Sequence, residues 1–296
     1  MIAVTGITGH SGGFFLQEVV AQNYPNTIRC LVRETSDATA LDRSGLAIEK
    51  VTGDIEDEKT LHNLLHGASM VLHIAGIRSS NKLLKIAEEE RVKRAVLVHT
   101  TGIFSKHRMA AEEYLKIESG IKDFLKTASI SVTILRPTMI FGDLCDHNIH
   151  KFIRMVDKLP LMPEIDHGKG RIQPVNARDL GKAYYQALMK ESLPKFDYVV
   201  SGERSITMHE LFAMIGRELG KKTRFISCPI NGGEFLAKAV RLSTFGKADF
   251  VEKVLRMGEN RDFSHEEAFR DFNYQPEPFE IGLRREIEQY KCAKGK

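Results

Sequence analysis

The segment Thr5-Gly6-Ile7-Thr8-Gly9-His10-Ser11-Gly12 decides the fold, because it follows a short apolar strand and opens a helical pattern. The strand is predicted at residues 2–5 and the helix at residues 14–23. Glycines at the first two positions of this pattern permit a tight turn against a pyrophosphate, and the third lets the helix pack closely on the strand. The helix N-terminus presents backbone N–H groups and a positive dipole to phosphate. We therefore predict a dinucleotide-binding loop whose contact residues are Gly6, Thr8, Gly9, His10, Ser11 and Gly12.

Short β-branched runs alternate with helical patterns through the first two-thirds of the chain. Further strands are predicted at residues 27–32, 48–52, 70–74, 95–100 and 132–136. Helices are predicted between them at residues 58–65, 82–90 and 109–127. Such alternation is typical of βαβ units with a parallel sheet. We therefore predict an α/β fold with a doubly wound parallel Rossmann sheet.

The α/β pattern loosens after Arg136-Pro137. Residues 143–170 are rich in loop residues, and a strand within 173–176, a helix at 180–190 and a strand at 198–201 then follow. Helices are predicted beyond them at residues 208–219, 233–243 and 281–290. We therefore predict a Rossmann core of residues 1–142 with 171–202. The remaining residues, 143–170 with 203–296, are predicted to form a small, mostly helical lobe on the substrate side.

Composition excludes several classes of protein. The 43 basic and 39 acidic residues give a net charge of +4 with no basic stripe, so no nucleic-acid partner is expected. The four cysteines lie far apart and the histidines match no ligand template, so we expect no metal site and a reducing compartment. No apolar run approaches the roughly 18 residues of a membrane span. We expect a cytoplasmic protein without a membrane partner.

The end of the second predicted strand indicates which cofactor is preferred. The strand ends in Cys30-Leu31-Val32-Arg33. An acidic residue there would accept hydrogen bonds from the ribose 2′-hydroxyl of NAD, whereas the planar guanidinium of arginine suits a 2′-phosphate. Asp37 lies nearby and is predicted to cap a short helix. The sequence therefore favours NADP(H), with NAD(H) as the alternative.

Several segments, taken in order, resemble the extended short-chain dehydrogenases. They are TGITGHSG (5–12), VTGDIED (51–57), HIAG (73–76), TILRPTMIFG (133–142), QPVNARDLGKA (173–183), ITMHELFAMIGRELGKK (206–222) and FSHEEAFRDFNYQP (263–276). The chain looks like a member of the NAD-dependent epimerase/dehydratase group or of its atypical NAD(P)-binding relatives. The resemblance implies that Asp54 and Ile55 flank the adenine. It also implies that Ile74, Ala75 and Gly76 lie beside the ribose and phosphate, and that Pro137, Thr138 and Met139 lie near the nicotinamide.

The catalytic helix departs from the pattern of this family. Catalytic members carry a tyrosine four residues before a lysine, so that the two side chains share one helix face. Counting back from the TILRP segment makes Lys116 the best-placed lysine, but Glu112 stands four residues before it. Tyr114 is followed four residues later by Glu118. Lys116 is still expected to bind the nicotinamide ribose.

A pair of threonines ends the fifth predicted strand, where the family has its catalytic serine or threonine. By the resemblance, the hydroxyl of Thr101 is the candidate that hydrogen-bonds a substrate carbonyl, and Thr100 is expected to contact the cofactor. Strand-end packing would account for the same two residues equally simply.

Three functions remain open on these grounds. The first is an atypical NADP(H)-dependent reductase of a small carbonyl or quinone-like substrate, since the cofactor itself carries the hard chemistry. The second is a nucleotide-sugar epimerase or dehydratase, which needs a base and is disfavoured by the missing tyrosine. The third is a non-catalytic NADP(H)-sensing regulator on the same fold. The expected partner is an unidentified small molecule, and a homodimer is the expected assembly.

Overall fold

The computed structural model describes residues 1–106, 109–146, 148–232 and 258–295. The strands are β1 (Ile2–Thr5), β2 (Ile28–Val32), β3 (Ile48–Thr52), β4 (Met70–His73), β5 (Arg94–Val98), β6 (Ser131–Pro137), β7 (Ile140–Phe141), β8 (Met162–Ile165), β9 (Arg171–Ile172), β10 (Val175–Asn176), β11 (Asp197–Val200), β12 (Ile206–Thr207) and β13 (Phe225–Cys228). The helices are α1 (His10–Ala21), α2 (Thr39–Asp42), α3 (Glu58–Leu65), α4 (Ser80–Glu89), α5 (Met109–Phe124), α6 (Ile149–Lys158), α7 (Ala177–Met189), α8 (Met208–Glu218), α9 (Glu266–Phe272) and α10 (Phe279–Lys294). The helix expected at residues 233–243 lies outside the described residues.

A seven-stranded parallel sheet forms the centre of the molecule, in the order β11-β6-β5-β4-β1-β2-β3. The strand order reverses between β1 and β4, and ligands of such sheets bind at the carboxyl ends of the strands beside this switch point. The sheet confirms the predicted doubly wound α/β fold. It also explains the continuous apolar strands, because helices cover both faces and every residue of β5 is buried.

One face of the sheet packs against α1 and α7, and the other packs against α3, α4 and α5. The two helices on the first face approach each other closely at Gly181. A Cβ atom there would lie 2.5 Å from the carbonyl carbon and oxygen of Phe14 on α1. This contact holds α1 against α7 on the sheet. It thereby fixes the position of the loop that precedes α1.

A third apolar cluster lies in the lobe, where α6, α8 and α10 pack around short two-stranded sheets. Residues 143–170 are more ordered than their loop-like composition predicts, since α6 buries Ile149, Ile153 and Val156 at helical spacing. The segment around α9 packs on the core rather than in the lobe, because Phe272 and Tyr274 belong to the cluster beneath β11. The chain therefore contacts the Rossmann core at α9 before α10 packs in the lobe.

Candidate functional site

A cleft opens at the carboxyl ends of β1 to β4, beside the switch point of the sheet. It encloses a cavity of about 670 Å³, which we call the loop cavity. Its lining residues are Gly6, Thr8, Gly9, His10, Ser11, Leu31, Arg33, Ser36, Gly53, Asp54, Ile55, Ile74, Ala75, Ile140, Cys145, Asp146 and Asn148. Most of the residues predicted to bind a cofactor thus lie around one cavity.

The three glycines of the loop have different roles. Gly6 has φ of +76°, and a Cβ there would lie 2.7 Å from the amide nitrogen of Ala75. A Cβ at Gly12 would lie 2.1 Å from the carbonyl oxygen of Gly6, so this glycine supports the turn from behind and does not line the cavity. Gly9 has ordinary extended backbone, and no side chain caps α1. The first N–H groups of α1 therefore remain available to an anion in the cavity.

The far end of the loop cavity is formed by the ends of β2 and β3. Arg33 is exposed and makes no ion pair with any residue in the part of the chain that the structure describes. Asp54 accepts a hydrogen bond from the backbone N–H of Glu56, at 2.9 Å. Asp37 accepts one from the N–H of Thr39, also at 2.9 Å, but the N-cap residue of α2 is Ala38, so Asp37 lies one residue before the capping position predicted for it.

A second, smaller cavity of about 300 Å³ adjoins the first at the ends of β5 and β6. We call it the threonine cavity, and its lining residues are Thr100, Thr101, Gly102, Phe104, Ser105, Thr138, Met139, Ile140, Asn148, Ile172, Gln173, Glu259, Asn260, Arg261 and Phe263. Ile140 and Asn148 line both cavities, so a ligand extended along the loop cavity would end beside the threonines.

The hydroxyl groups of the threonine cavity are not equivalent. The Thr101 hydroxyl donates to the carbonyl oxygen of Pro137, at 3.2 Å, and the Thr138 hydroxyl donates to the carbonyl oxygen of Gln173. The Thr100 hydroxyl oxygen instead accepts from the N–H of Gly102, at 2.9 Å. Its own proton is thus left to donate into the cavity. The geometry therefore favours Thr100 over the predicted Thr101 as the donor to a bound carbonyl.

The structure leaves Lys116 outside the site. Its side chain is exposed on α5 and lines neither cavity. The reason is helical periodicity, because Glu118 lies about 200° around the helix from Lys116 and occupies the buried face. Tyr114 shares that face but is only half-buried, with the Arg78 guanidinium 6.0 Å from its ring centre. The expectation that Lys116 binds the cofactor does not fit this placement.

Glu118 belongs to a buried charged network beneath the threonine cavity. The two terminal guanidinium nitrogens of Arg136 donate to its carboxylate, at 2.6 and 2.8 Å, and the Nδ1 of His99 lies 2.9 Å from it. Burial alone would raise the pKa of Glu118, but these hydrogen bonds outweigh burial and lower that pKa to about 2. The Nε2 of His99 accepts from the Ser80 hydroxyl at 3.0 Å. The carboxylate is therefore ionised and fully paired.

Two other predicted residues support the cavities from outside. Gly76 has φ of +130°, and its carbonyl oxygen lies 2.8 Å from the Nε2 of buried His73. Pro137 contributes its carbonyl oxygen to Thr101, as described above, and does not line either cavity. Both lie next to lining residues, Ala75 and Thr138 respectively.

Sequence reasoning missed the segment that covers the loop cavity. Cys145, Asp146 and Asn148 line that cavity, yet they lie in a stretch with no recognisable motif. Asp146 is buried and hydrogen-bonds Glu286, a fully buried carboxyl group on α10. Burial and the neighbouring Asp146 raise the pKa of Glu286 to about 10. Such a pair depends on contacts across 140 residues of chain, which no local pattern reveals.

Two kinds of feature are absent from the described ranges. No group of three or more histidine, cysteine, aspartate or glutamate side chains there could hold a metal ion. Among the same residues, no helix combines the length and apolar character needed to cross a bilayer.

Comparison with proteins of known function identifies several relatives. A ceramide reductase of Caulobacter vibrioides is 21% identical over 276 residues, which cover 90% of this chain and 84% of that protein. An NAD(P)H azoreductase of Xenophilus azovorans is 23% identical over 235 residues, or 77% of each chain. The sterol demethylase protein B of Methylococcus capsulatus is 36% identical over 76 residues, which span only 22% of that protein.

Solved structures share the fold along the whole chain. A dTDP-glucose 4,6-dehydratase of Streptomyces venezuelae, a double mutant with NAD bound, has a TM-score of 0.75 at 18% identity, covering 100% of this chain and 98% of that one. A UDP-glucose 4-epimerase of Thermus thermophilus in complex with NAD has a TM-score of 0.70 at 15% identity, covering 99% of both chains. These neighbours have the epimerase/dehydratase type of Rossmann fold that the sequence resembles. The NmrA-like family profile matches residues 1–263, and the chain therefore belongs to the NmrA-like family.

Proposed function

We propose that the chain binds NADP(H) in the loop cavity, with NAD(H) as the alternative cofactor. The residues fit such a ligand. The open N-terminus of α1 and the bare backbone at Gly9 suit a pyrophosphate. Arg33 offers a guanidinium that pairs with no described residue, at the end of β2, where a 2′-phosphate would lie. Asp54 and Ile55 line the same end of the cavity, on the adenine side.

The activity we propose is reduction of a small carbonyl or quinone-like substrate in the threonine cavity. When bound, the cofactor supplies a hydride. The observation that carries this proposal is the junction of the two cavities at Ile140 and Asn148, because a cofactor lying along the loop cavity from Arg33 would end beside the threonine cavity. Phe104 and Phe263, with ring centres 5.6 Å apart, give this cavity an apolar wall suited to a flat, uncharged substrate. Two of the relatives are named as reductases, which is consistent with this activity.

The role of the protein in this reaction is to orient and polarise the carbonyl. The Thr100 hydroxyl would donate to the carbonyl oxygen, because its acceptor side is already held by Gly102. A proton from water would complete the reduction, since the helix that carries the tyrosine–lysine pair in related enzymes has Glu118 where a lysine would follow Tyr114. A hydrogen bond to the developing oxyanion is worth about 2.7–4 kcal/mol in other enzymes.

The test is an NADPH-oxidation screen of the purified protein with quinones, aldehydes, ketones and nucleotide sugars. We expect turnover with an apolar carbonyl or quinone. Thr100→Val should then lower kcat by about a hundredfold or more. Thr101→Val is the matched control, because its hydroxyl already donates to Pro137, and it should change kcat by less than about tenfold. Turnover only with nucleotide sugars, or a larger loss in Thr101→Val, would contradict the proposal.

A non-catalytic NADP(H)-sensing regulator is the second candidate. It is favoured by Glu118, which stands where the lysine of a catalytic pair would follow Tyr114. Glu118 is fixed there by a buried ion pair with Arg136. Tight NADPH binding without turnover of any substrate in the screen would support the sensor.

An epimerase or dehydratase would be recognised in the same screen by conversion of a nucleotide sugar without net NADPH oxidation.

A further inference from the structure

The lobe presents a stripe of cations on the outer face of α6. Lys151, Arg154 and Lys158 are exposed and follow one another at intervals of three and four residues, so they share one side of the helix. The opposite side of α6 carries the buried residues Ile149, Ile153 and Val156, which pack in the lobe. The positions of the three cations are therefore fixed by the packing of the helix.

Large apolar side chains protrude next to this stripe. Leu159 and Leu161 follow the end of α6 and are 43% and 42% exposed. Ile226 on the neighbouring strand β13 is 54% exposed and pairs in register with Pro163 of β8. A shallow depression of about 310 Å³ is lined by Lys151, Arg154, Met155, Lys158 and Leu159, so Leu159 lies directly beside the cations. We call these cations and apolar side chains, together with the exposed Lys222 and Arg224 that precede β13, the α6 surface.

The α6 surface lacks acidic groups that could neutralise its cations. Within the described ranges, none of its five lysines and arginines forms an ion pair. The carboxylates carried by α6 and β8 themselves are already paired and buried. Asp157 binds Lys221, Lys294 and the Tyr290 hydroxyl, and Glu164 binds His209 at 2.7 Å. The surface is therefore positive as well as apolar.

We propose that the α6 surface docks the protein peripherally on an anionic lipid bilayer. Lysine and arginine side chains at such a surface attract phosphate head groups, and isolated leucine and isoleucine side chains beside them insert into the acyl boundary. A nucleic-acid backbone would match the cations but would leave the three aliphatic side chains without a partner. This contact departs from the expectation of no membrane partner, and it uses surface side chains, so it needs no membrane-spanning helix. Since α6 begins directly after Asn148, docking brings both cavities near the membrane.

The test is co-sedimentation of the full-length protein with two kinds of vesicle. One is pure phosphatidylcholine, and the other is equal parts phosphatidylcholine and phosphatidylglycerol. We expect partition onto the anionic vesicles only, weakened by added salt. The variant Lys151→Glu/Arg154→Glu/Lys158→Glu should lower that partition by a hundredfold or more, because each cation contributes about fivefold. Leu159→Ser/Leu161→Ser should lower it as well, with the salt dependence retained.

A matched control separates this surface from net charge alone. The control variant Lys59→Glu/Lys85→Glu/Lys93→Glu makes the same charge change at exposed positions on the surface of the Rossmann domain. It should retain most of the vesicle binding. Equal losses in both triple variants, equal binding to neutral vesicles, or binding to polyglutamate or DNA but not to vesicles would each overturn the proposal. All substituted positions are exposed, so unchanged circular dichroism is expected and verifies that each variant is folded.

Discussion

Replacing Glu286 with glutamine should change how the stability of the protein depends on pH. The Glu286 carboxyl is fully buried on α10, where it accepts a 3.1 Å hydrogen bond from the N–H of Gly142 and hydrogen-bonds Asp146. Burial, reinforced by Asp146, raises its pKa to about 10, so the group is neutral in the folded protein at pH 7. In the unfolded chain the same group ionises with a pKa of about 4.3.

The sign and size of the effect follow from this difference. The unfolded state releases a proton that the folded state keeps, so folding becomes less favourable as the pH rises above about 4.3. The contribution of Glu286 to stability is fully present below that pH and is lost progressively up to about pH 10. Each pH unit costs about 1.4 kcal/mol, or about 4 kcal/mol between pH 5 and pH 8. In Glu286→Gln the amide keeps both hydrogen bonds and does not titrate, so this loss disappears.

The measurement is urea unfolding followed by circular dichroism at about pH 5 and about pH 8, with the unfolding free energy taken by linear extrapolation. The difference between Glu286→Gln and the wild type should grow in favour of the variant by about 4 kcal/mol over this interval. The control is Glu288→Gln, an exposed residue on the same helix, whose pH dependence should parallel that of the wild type. If the unfolding free energy of Glu286→Gln depends on pH as that of the wild type does, Glu286 is ionised in the folded protein and this prediction is wrong.

Three further substitutions test the two ends of the site. Arg33→Ala should weaken NADPH binding by about 1.5–3 kcal/mol and leave NADH binding almost unchanged, as measured by calorimetry. Equal losses of affinity for the two cofactors would show that Arg33 does not bind the 2′-phosphate. Glu118→Gln should lower the free energy of unfolding by about 3–5 kcal/mol, because it breaks the buried pair with Arg136. The exposed Glu112→Gln serves as its control and should stay within about 0.5 kcal/mol of the wild type. Lys116→Met should leave NADPH affinity unchanged, and a tenfold loss would return Lys116 to the cofactor site.

The core of the fold could be predicted from the sequence because its signals are local. The glycine loop stands between β1 and α1, and the strands predicted at residues 48–52 and 70–74 coincide with β3 and β4 to within one residue. The positions of the residues around the loop cavity could be predicted as well, because parallel strands bring their carboxyl ends to one edge of a sheet. Arg33 could be placed there from the end of its strand, and Asp54 from the family resemblance.

The errors concern side-chain direction and contacts between distant segments. Lys116 was selected by its distance from the TILRP segment, but a shift of two residues on a helix changes the face by about 200°. The buried Glu118 gives no sign in the sequence that it pairs with His99 and Arg136, because those partners lie on separate strands. The wall residues Cys145, Asp146 and Asn148, and those at 259–261 and 263, depend on how the lobe packs against the core, which the periodicity of a single element does not reveal.

The most direct test of the proposed cofactor site is calorimetric titration of NADPH into the wild type, Gly9→Val and Gly13→Ala. A side chain at Gly9 would occupy the space where the pyrophosphate meets the backbone, while its Cβ would contact only the Gly6 carbonyl oxygen at 3.2 Å, so the fold should survive. A Cβ at Gly13 meets no atom within 4 Å, which makes Gly13→Ala the matched control on the same helix. We predict that NADPH binds the wild type and Gly13→Ala alike and no longer binds folded Gly9→Val. Unchanged affinity in Gly9→Val, or no binding by the wild type, would contradict the account.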